Sequence, residues 1–288
     1  MKMTRARIVR SYTNTVEARI MALRANPHTH VEHIGDVANG VVAYSCFRVV
    51  VGSQSSGKKP SVLLSGGVHG NEPAGVWALL RFLEMDVHQY LDTCTFVAYP
   101  CINPIGYEYN TRGTVRGFDL NRDFTLYPKS FENQIVLRSL HKDEKHFLFA
   151  MDLHESDMSE VTEDMVKEGL TVKDNPRGFY LYECAREATP RMGRSIIKAL
   201  RREGIQIATQ PEIFKDKNFG GVISYPTESG SPIYAEGVSF DTYLFDTCTD
   251  HAFTTETVTN WDAWKRVMAH RVAIQTVLEL YRRHFSSV

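Results

Sequence analysis

A histidine and a glutamate three positions apart, His69 and Glu72, stand where an apolar run meets a segment of helical spacing. The run 62–64 before them predicts a buried strand. A second histidine, His154, ends a later apolar run. Two imidazoles and one carboxylate supply three ligands and leave a fourth tetrahedral position for water, which is typical of catalytic zinc. These three residues are therefore candidate metal ligands.

Alternating strand and helix patterns must position these residues. From residue 61 onward the alternation predicts a mostly parallel mixed sheet with helices on both faces, an α/β fold in which ligands collect beyond the carboxyl ends of the strands. We expect one domain over 1–288, with an N-terminal helix and β-hairpin in 1–55 and a catalytic core in 56–288. The segments 100–129 and 210–237 are predicted to be irregular. Predicted strands are 31–34, 41–51, 61–65, 93–99, 146–153, 178–183, 205–209 and 252–256, and predicted helices are 15–25, 74–83, 131–141, 190–202 and 261–283.

Composition and charge exclude several classes of protein. The chain of 288 residues is 43% hydrophobic, with a formal charge of -1 and no run of like charges. This balance argues against a nucleic-acid binder or a basic membrane-surface protein. Five scattered cysteines without a CxxC pair indicate reduced thiols. The basic N-terminus has no apolar stretch behind it, and no run approaches the roughly 18 apolar residues that span a bilayer. We expect a cytoplasmic protein.

Four motifs occur in one order along the chain. They are His-Gly-Asn-Glu at 69–72, Asp-Leu-Asn-Arg at 119–122, Asp-Leu-His at 152–154 and Phe-Thr-Thr-Glu-Thr at 253–257. In this order and rough spacing they resemble the zinc carboxypeptidase family, the relatives of carboxypeptidases A and B. The resemblance covers about residues 60–285 and is closest to the shorter bacterial and cytosolic branch.

The resemblance implies a ligand set for the metal. His69, Glu72 and His154 would bind one Zn²⁺ per chain, and a metal held this way acidifies its bound water. Asp119 resembles the carboxylate that orients the first zinc histidine and raises its basicity. The alternative for Asp119 is an ordinary acid of a turn.

The resemblance also implies a general base, Glu256, on a late strand. A glutamate inside an otherwise apolar strand is costly unless it faces a cleft. The rival is Glu228, whose loop setting suits an exposed acid. We expect Glu256 to be the base.

Two cations and an amide complete the expected site. Asn121 and Arg122 resemble the family's clamp for the terminal carboxylate of the substrate, because a planar guanidinium can donate two parallel hydrogen bonds. A further cation must stabilise the oxyanion. Arg112 and Arg116 compete for this role, and the spacing of Arg112 from Asn121 resembles that of the shorter family members.

Residues for the far side of the substrate are harder to assign. Tyr234 resembles the mobile tyrosine that caps the substrate in digestive members of the family. The residue that lines the side-chain pocket is Asp241 in one register, which favours a basic side chain. In the other register it is Phe240, which favours an apolar one. The sequence leaves both registers open.

The resulting hypothesis is a zinc-dependent hydrolase that cleaves an amide bond next to a free carboxylate. Its partner would be a small peptide or an acyl amino acid, with no nucleic acid and no membrane. Within the same chemistry, an N-acyl amino acid deacylase of the aspartoacylase and succinylglutamate desuccinylase type and a peptidase of cell-wall peptides are alternatives. We expect the carboxypeptidase-like branch, because the 32 residues after Glu256 have the pattern of one helix instead of a β-rich segment. A non-catalytic carboxylate-binding protein is the alternative of another class.

Overall fold

The computed structural model describes residues 10–52, 59–142, 146–225 and 237–286. The strands in this part of the chain are β1 (Thr29–Asn39), β2 (Val42–Val51), β3 (Ser61–Gly66), β4 (Thr95–Tyr99), β5 (Phe147–Ser156), β6 (Tyr180–Ala185), β7 (Glu212–Ile213), β8 (Asp216–Lys217), β9 (Val222–Tyr225) and β10 (His251–Val258). The helices are α1 (Ala18–Ala22), α2 (Pro73–Met85), α3 (Pro104–Tyr109), α4 (Phe131–His141), α5 (Glu163–Lys167), α6 (Gly193–Arg202), α7 (Phe240–Thr247) and α8 (Ala263–Ser286). Helical turns on either side of α1 extend it to 12–25.

Eight of these strands form one mixed sheet in the order β1-β2-β4-β3-β5-β10-β6-β9. The pairs β4–β3, β3–β5, β5–β10 and β6–β9 are parallel, whereas β1–β2, β2–β4 and β10–β6 are antiparallel. The remaining pair, β7–β8, is a separate small hairpin. The predicted mixed, mostly parallel sheet is thus confirmed, and its parallel strands β3, β5 and β10 lie at its centre.

Helices cover both faces of this sheet, as predicted. Alternate residues of a strand point to opposite faces, and β3 shows this directly. Val62 and Leu64 are buried in the core cluster that includes α2, α6 and α8. Leu63 is buried in a second cluster with residues of α4 and α7. Because both faces of the sheet are apolar, the sequences of the central strands are nearly continuous hydrophobic runs.

A glycine allows α2 to approach the central strand closely. Pro73 occupies the first turn of α2, where its missing N–H costs nothing. Two residues after Pro73, a Cβ on Gly75 would lie 2.4 Å from the carbonyl oxygen of Leu153 in β5. No side chain fits there, so glycine lets the start of α2 sit against the end of β5. This contact brings Glu72 and His154 together.

Some sequence predictions of secondary structure are wrong. The apolar segment 205–209 is not a strand, because its contact with the sheet is a single bridge between Phe179 and Ile207. The edge position beside β6 is taken instead by β9, from the segment predicted to be irregular. The other irregular segment, 100–129, contains α3, whose start carries Asn103 as a cap and a proline behind it. No helix in the described ranges is long and apolar enough to cross a bilayer.

Candidate metal centre and cleft

The three predicted metal ligands converge at the carboxyl ends of β3 and β5. His69 and Glu72 lie in the connection from β3 to α2, and His154 lies on β5. His69 Nδ1 is 2.7 Å from Glu72 Oε1, and His154 Nδ1 is 2.8 Å from Glu72 Oε2. The ligand atoms of all three residues lie within 4.8 Å of one another, and all three residues are buried. In the described ranges this is the one such group of histidine, cysteine and acidic residues.

Two carboxylates fix the orientation of the imidazoles. The Nε2 atom of His69 lies 3.0 Å from Asp119 Oδ1, and that of His154 lies 2.7 Å from Asp152 Oδ2. Each Nε2 donates a hydrogen bond to its carboxylate, so the Nδ1 atoms beside Glu72 are the ones that would bind a metal. Asp119 therefore has the contact that was expected of it. Asp152 was missed, although its position two residues before His154 puts both on one face of β5.

This donor set fits a divalent metal. The two Nδ1 atoms are 3.1 Å apart, and two nitrogens on one tetrahedral zinc ion would lie about 3.3 Å apart. Burial raises the pKa of Glu72, but the neighbouring imidazoles outweigh it and hold that pKa well below its ordinary value. The Glu155 backbone N–H also donates to Glu72 Oε2 at 2.9 Å. The ligand carboxylate is thus ionised and fixed.

Glu256 faces the same cleft from the neighbouring strand. The parallel register of β5 and β10 puts Glu256 directly beside His154. Ser156 donates a hydrogen bond of 3.2 Å to Glu256 Oε2, and Ser156 Oγ also lies 2.9 Å from the hydroxyl of Tyr180. Burial, and the negative charge of Glu72, raise the pKa of Glu256 to about 8. Without a cation bound beside it, Glu256 therefore holds a proton at neutral pH.

The two candidate arginines lie in different surroundings. Arg112 lines the cleft, and its Nε donates to Asp119 Oδ2 at 3.1 Å. Its second contact is with the ligand Glu72, at 3.3 Å. Arg116 is not among the cleft residues, and its guanidinium lies over the ring of Phe131. Of the two, only Arg112 is near the metal ligands.

The predicted carboxylate clamp lies on a short turn tied to the metal centre. Asp119 caps this turn, Leu120–Arg122, by accepting a hydrogen bond of 2.8 Å from the backbone N–H of Asn121. Asn121 Oδ1 in turn accepts from the backbone N–H of Phe240, which leaves its amide group to donate. Both Asn121 and Arg122 line the cleft.

The two candidate residues for the side-chain pocket lie in different surroundings. Asp241, in the first turn of α7, lines the cleft, whereas Phe240 is fully buried in the core against Phe124. Two other candidates, Tyr234 and Glu228, lie outside the described residues.

The cleft has a volume of about 540 Å³, and its far wall was not anticipated from the sequence. Tyr182, Tyr225 and Asp216 line this wall and come from β6, β9 and β8. Glu155, the neighbour of His154, points to the opposite face of β5 instead. There its carboxylate is buried and receives a hydrogen bond of 2.5 Å from Arg266.

Comparisons with known proteins agree with this geometry. Residues 58–167 match the model of the succinylglutamate desuccinylase/aspartoacylase catalytic domain. Carboxypeptidase E of Caenorhabditis elegans is 35% identical over 88 residues, 23% of this chain and 19% of that protein. Carboxypeptidase 2 of Trichophyton tonsurans is 40% identical over 82 residues. The chain matches less than a fifth of the length of either relative.

Solved structures share the fold over nearly the whole chain. A candidate metallopeptidase from Shewanella amazonensis superposes with a TM-score of 0.73 at 20% identity, covering 93% of this chain and 92% of that one. A metallo-carboxypeptidase from Burkholderia cenocepacia gives a TM-score of 0.61 at 16% identity, covering 93% and 68%. Motifs, family-model match and fold together support a zinc carboxypeptidase-like family of hydrolases, as the sequence predicted.

Proposed function

We propose that the protein is a zinc-dependent hydrolase that cleaves an amide bond next to a free carboxylate, as a metallocarboxypeptidase does. The observation that carries this proposal is the cleft itself. It combines a His-Glu-His ligand set, an adjacent carboxylate of raised pKa, and an arginine-asparagine pair. A binding protein without activity would not need the second carboxylate beside the ligands.

His69, Glu72 and His154 would hold the metal, which when bound lowers the pKa of water and polarises a carbonyl oxygen. Glu256 then accepts the proton of the attacking water at its carboxylate and delivers it to the leaving amine. A pKa of about 8 before metal binding suits this exchange, since the bound cation lowers it toward neutrality.

Arg112 and the clamp would orient the substrate. Arg112 lies between Asp119 and Glu72, near enough to the ligands to stabilise negative charge on the reacting carbonyl oxygen. Asn121 and Arg122 would bind the terminal carboxylate and so fix the scissile bond relative to Glu256. Tyr234 would cap the bound substrate, as the sequence resemblance implies.

A second candidate is an N-acyl amino acid deacylase, favoured by the match of residues 58–167 to the desuccinylase/aspartoacylase catalytic domain. Both candidates use the same chemistry and differ in the group on the far side of the amide. The test is a screen of blocked dipeptides, N-acyl amino acids and cell-wall peptides against the zinc-loaded protein. Turnover of one class identifies the branch, and turnover of none, in protein that has bound zinc, contradicts the proposed function.

We also propose a cytoplasmic location for the protein. All five cysteines are buried and unpaired, as is usual in a reducing compartment.

A further inference from the structure

An arginine near the start of the described chain contacts the turn that carries two of the metal ligands. This turn, residues 69–72, is called the metal turn below. Arg10 Nη1 donates a hydrogen bond of 2.9 Å to the carbonyl oxygen of Gly70, and its Nη2 donates one of 3.0 Å to that of Asn71. Gly70 and Asn71 are the two residues between the ligands, so Arg10 contacts the backbone that sets the spacing of the ligands.

The same guanidinium also contacts a neighbouring helix. Arg10 Nη1 donates to the carbonyl oxygen of Tyr107 in α3 at 3.3 Å. The backbones of α3 and the metal turn touch here, because a Cβ on Gly70 would lie 1.9 Å from the carbonyl carbon of Gly106. The N–H of Gly70 in addition donates to the carbonyl oxygen of Arg112 at 3.2 Å. Arg10 therefore joins the metal turn to α3, the helix that comes shortly before Arg112.

Backbone carbonyl groups, and not an acid, are the partners of this cation. Among the described residues, no carboxylate lies within 4.0 Å of the guanidinium of Arg10, although this side chain is half-buried. A charge removed from water needs polar partners, and a buried carbonyl group such as that of Gly70 needs a donor. The planar guanidinium, with five donors in a fixed geometry, supplies both needs at once. The arrangement favours arginine at this position over the single nitrogen of lysine.

We propose that Arg10 is a positioning residue of the metal centre. It holds the metal turn in the conformation in which His69 and Glu72 can bind the same ion, and it acts through the carbonyl groups of the two residues between them. This inference rests on the metal site of the function proposed above. It also means that the N-terminal segment, which the sequence separates from the catalytic core, contributes to the metal centre of that core.

The first test measures zinc affinity, which requires no turnover. Arg10→Met keeps an apolar stem but removes all three hydrogen bonds, so zinc binding should weaken by about 10-fold, as for loss of a group that orients a metal ligand. Arg10→Lys restores a cation and should weaken it by only about 3-fold. Competition with a chromophoric chelator measures the affinities. The matched control is Arg19→Ala, because the contacts of Arg19 are with Glu84 and the ring of Trp77, and its affinity should equal that of the parent.

A purely structural role for Arg10 would give a different result. If Arg10 only tethers the N-terminal segment, Arg10→Met and Arg19→Ala should both lower the unfolding temperature, and neither should change the zinc affinity. Unchanged zinc affinity in Arg10→Met would overturn the inference. Weaker zinc binding in Arg10→Met, with the affinity partly restored in Arg10→Lys and unchanged in Arg19→Ala, supports it.

Hydrogen exchange tests the same claim in the metal-free protein. Peptides that cover the metal turn are followed by mass spectrometry, since exchange of backbone amides reports local opening. Arg10→Met should raise the exchange rate of the metal turn by about 10-fold, whereas Arg19→Ala should not change it. Faster exchange in Arg10→Met supports the inference even if no substrate is cleaved, so its failure and that of the proposed function are distinguishable. Exchange at the parent's rate would contradict the inference, whatever the outcome of the activity screen.

Discussion

The two walls of the cleft are built in different ways. On the metal wall, His69, Glu72 and His154 are each no more than 3% exposed, and they lie at the carboxyl ends of the central strands β3 and β5. On the far wall, Tyr225 is 38% exposed and Asp216 belongs to a two-residue strand of a small hairpin. The first wall fixes reacting groups on rigid elements, as chemistry requires. The second lies on short edge elements, where side chains can vary without moving the catalytic groups.

This contrast predicts different consequences of mutation. Changes at the metal wall should reduce the rate or the metal affinity for every substrate. Changes at the far wall should alter which substrate is preferred.

The largest effect is expected for Glu256→Gln. The amide keeps the shape of the side chain but cannot accept the proton, so kcat should fall by about 10⁴-fold, the upper range for acid–base catalysis. Metal content, measured by inductively coupled plasma mass spectrometry, should be unchanged, because Glu256 is not a metal ligand. Glu212→Gln, at an exposed acid that does not line the cleft, serves as the control. Near-normal turnover by Glu256→Gln would indicate that Glu228, and not Glu256, is the general base.

Arg122→Ala tests the carboxylate clamp. We expect kcat/KM for substrates with a free carboxylate to fall by about 100-fold or more, since a bidentate ion pair is lost. The matching amidated substrates, which are poor to begin with, should change little. Steady-state kinetics on both series measures the difference. Equal losses for the two series would show that Arg122 does not bind the carboxylate.

Asp152→Asn tests the support of the metal ligand His154. The substitution weakens the hydrogen bond that directs the Nδ1 lone pair toward the metal, so metal affinity should fall by about 10-fold to 100-fold. Competition with a chromophoric chelator measures this affinity. Asp250→Asn, at an exposed acid far from the ligands, should leave it unchanged. An unaltered affinity in Asp152→Asn would mean that His154 is oriented by its other contacts.

The smallest effect concerns the stability of the metal-free protein. The pKa of Glu256 in the folded state, about 8, is above its ordinary value of 4.5. Ionisation of Glu256 therefore disfavours folding as the pH rises from about 4.5 to about 8. Glu256→Gln should unfold about 7 °C higher than the parent at pH 8 and at the same temperature at pH 4. A calorimetric difference that does not depend on pH would contradict the assigned pKa.

The metal wall could be predicted from the sequence because short, local patterns encode it. His69 and Glu72 are three residues apart at a strand end, and His154 ends an apolar run. Asp152, which lies on the same face of β5 as His154, was nevertheless missed. The order of strand and helix patterns also predicted the mixed sheet with helices on both faces. Glu256 was identified by the motif resemblance, and the parallel register places it beside His154.

The far wall of the cleft could not be predicted in the same way. Its residues come from β6 and from the short strands β8 and β9, which lie about 30 residues further along the chain. The strand β9 lies in a segment rich in glycine and proline, which predicts irregular structure. The apolar segment 205–209 has a stronger strand pattern but is not a strand of the sheet. Asp241 could not be distinguished from Phe240, because the position of α7 depends on how Phe240 packs into the core. The single-domain assignment of 1–288 stays a prediction.

The central claim is that His69, Glu72 and His154 hold one catalytic zinc ion. Its most direct test is the metal content of the purified chain after loading with zinc and dialysis, measured together with activity before and after chelation. The account predicts about one zinc per chain, less than about a tenth of that in His69→Ala, and activity that a chelator removes and added zinc restores. Bound zinc that His69→Ala does not reduce, or activity that survives complete chelation, would contradict it.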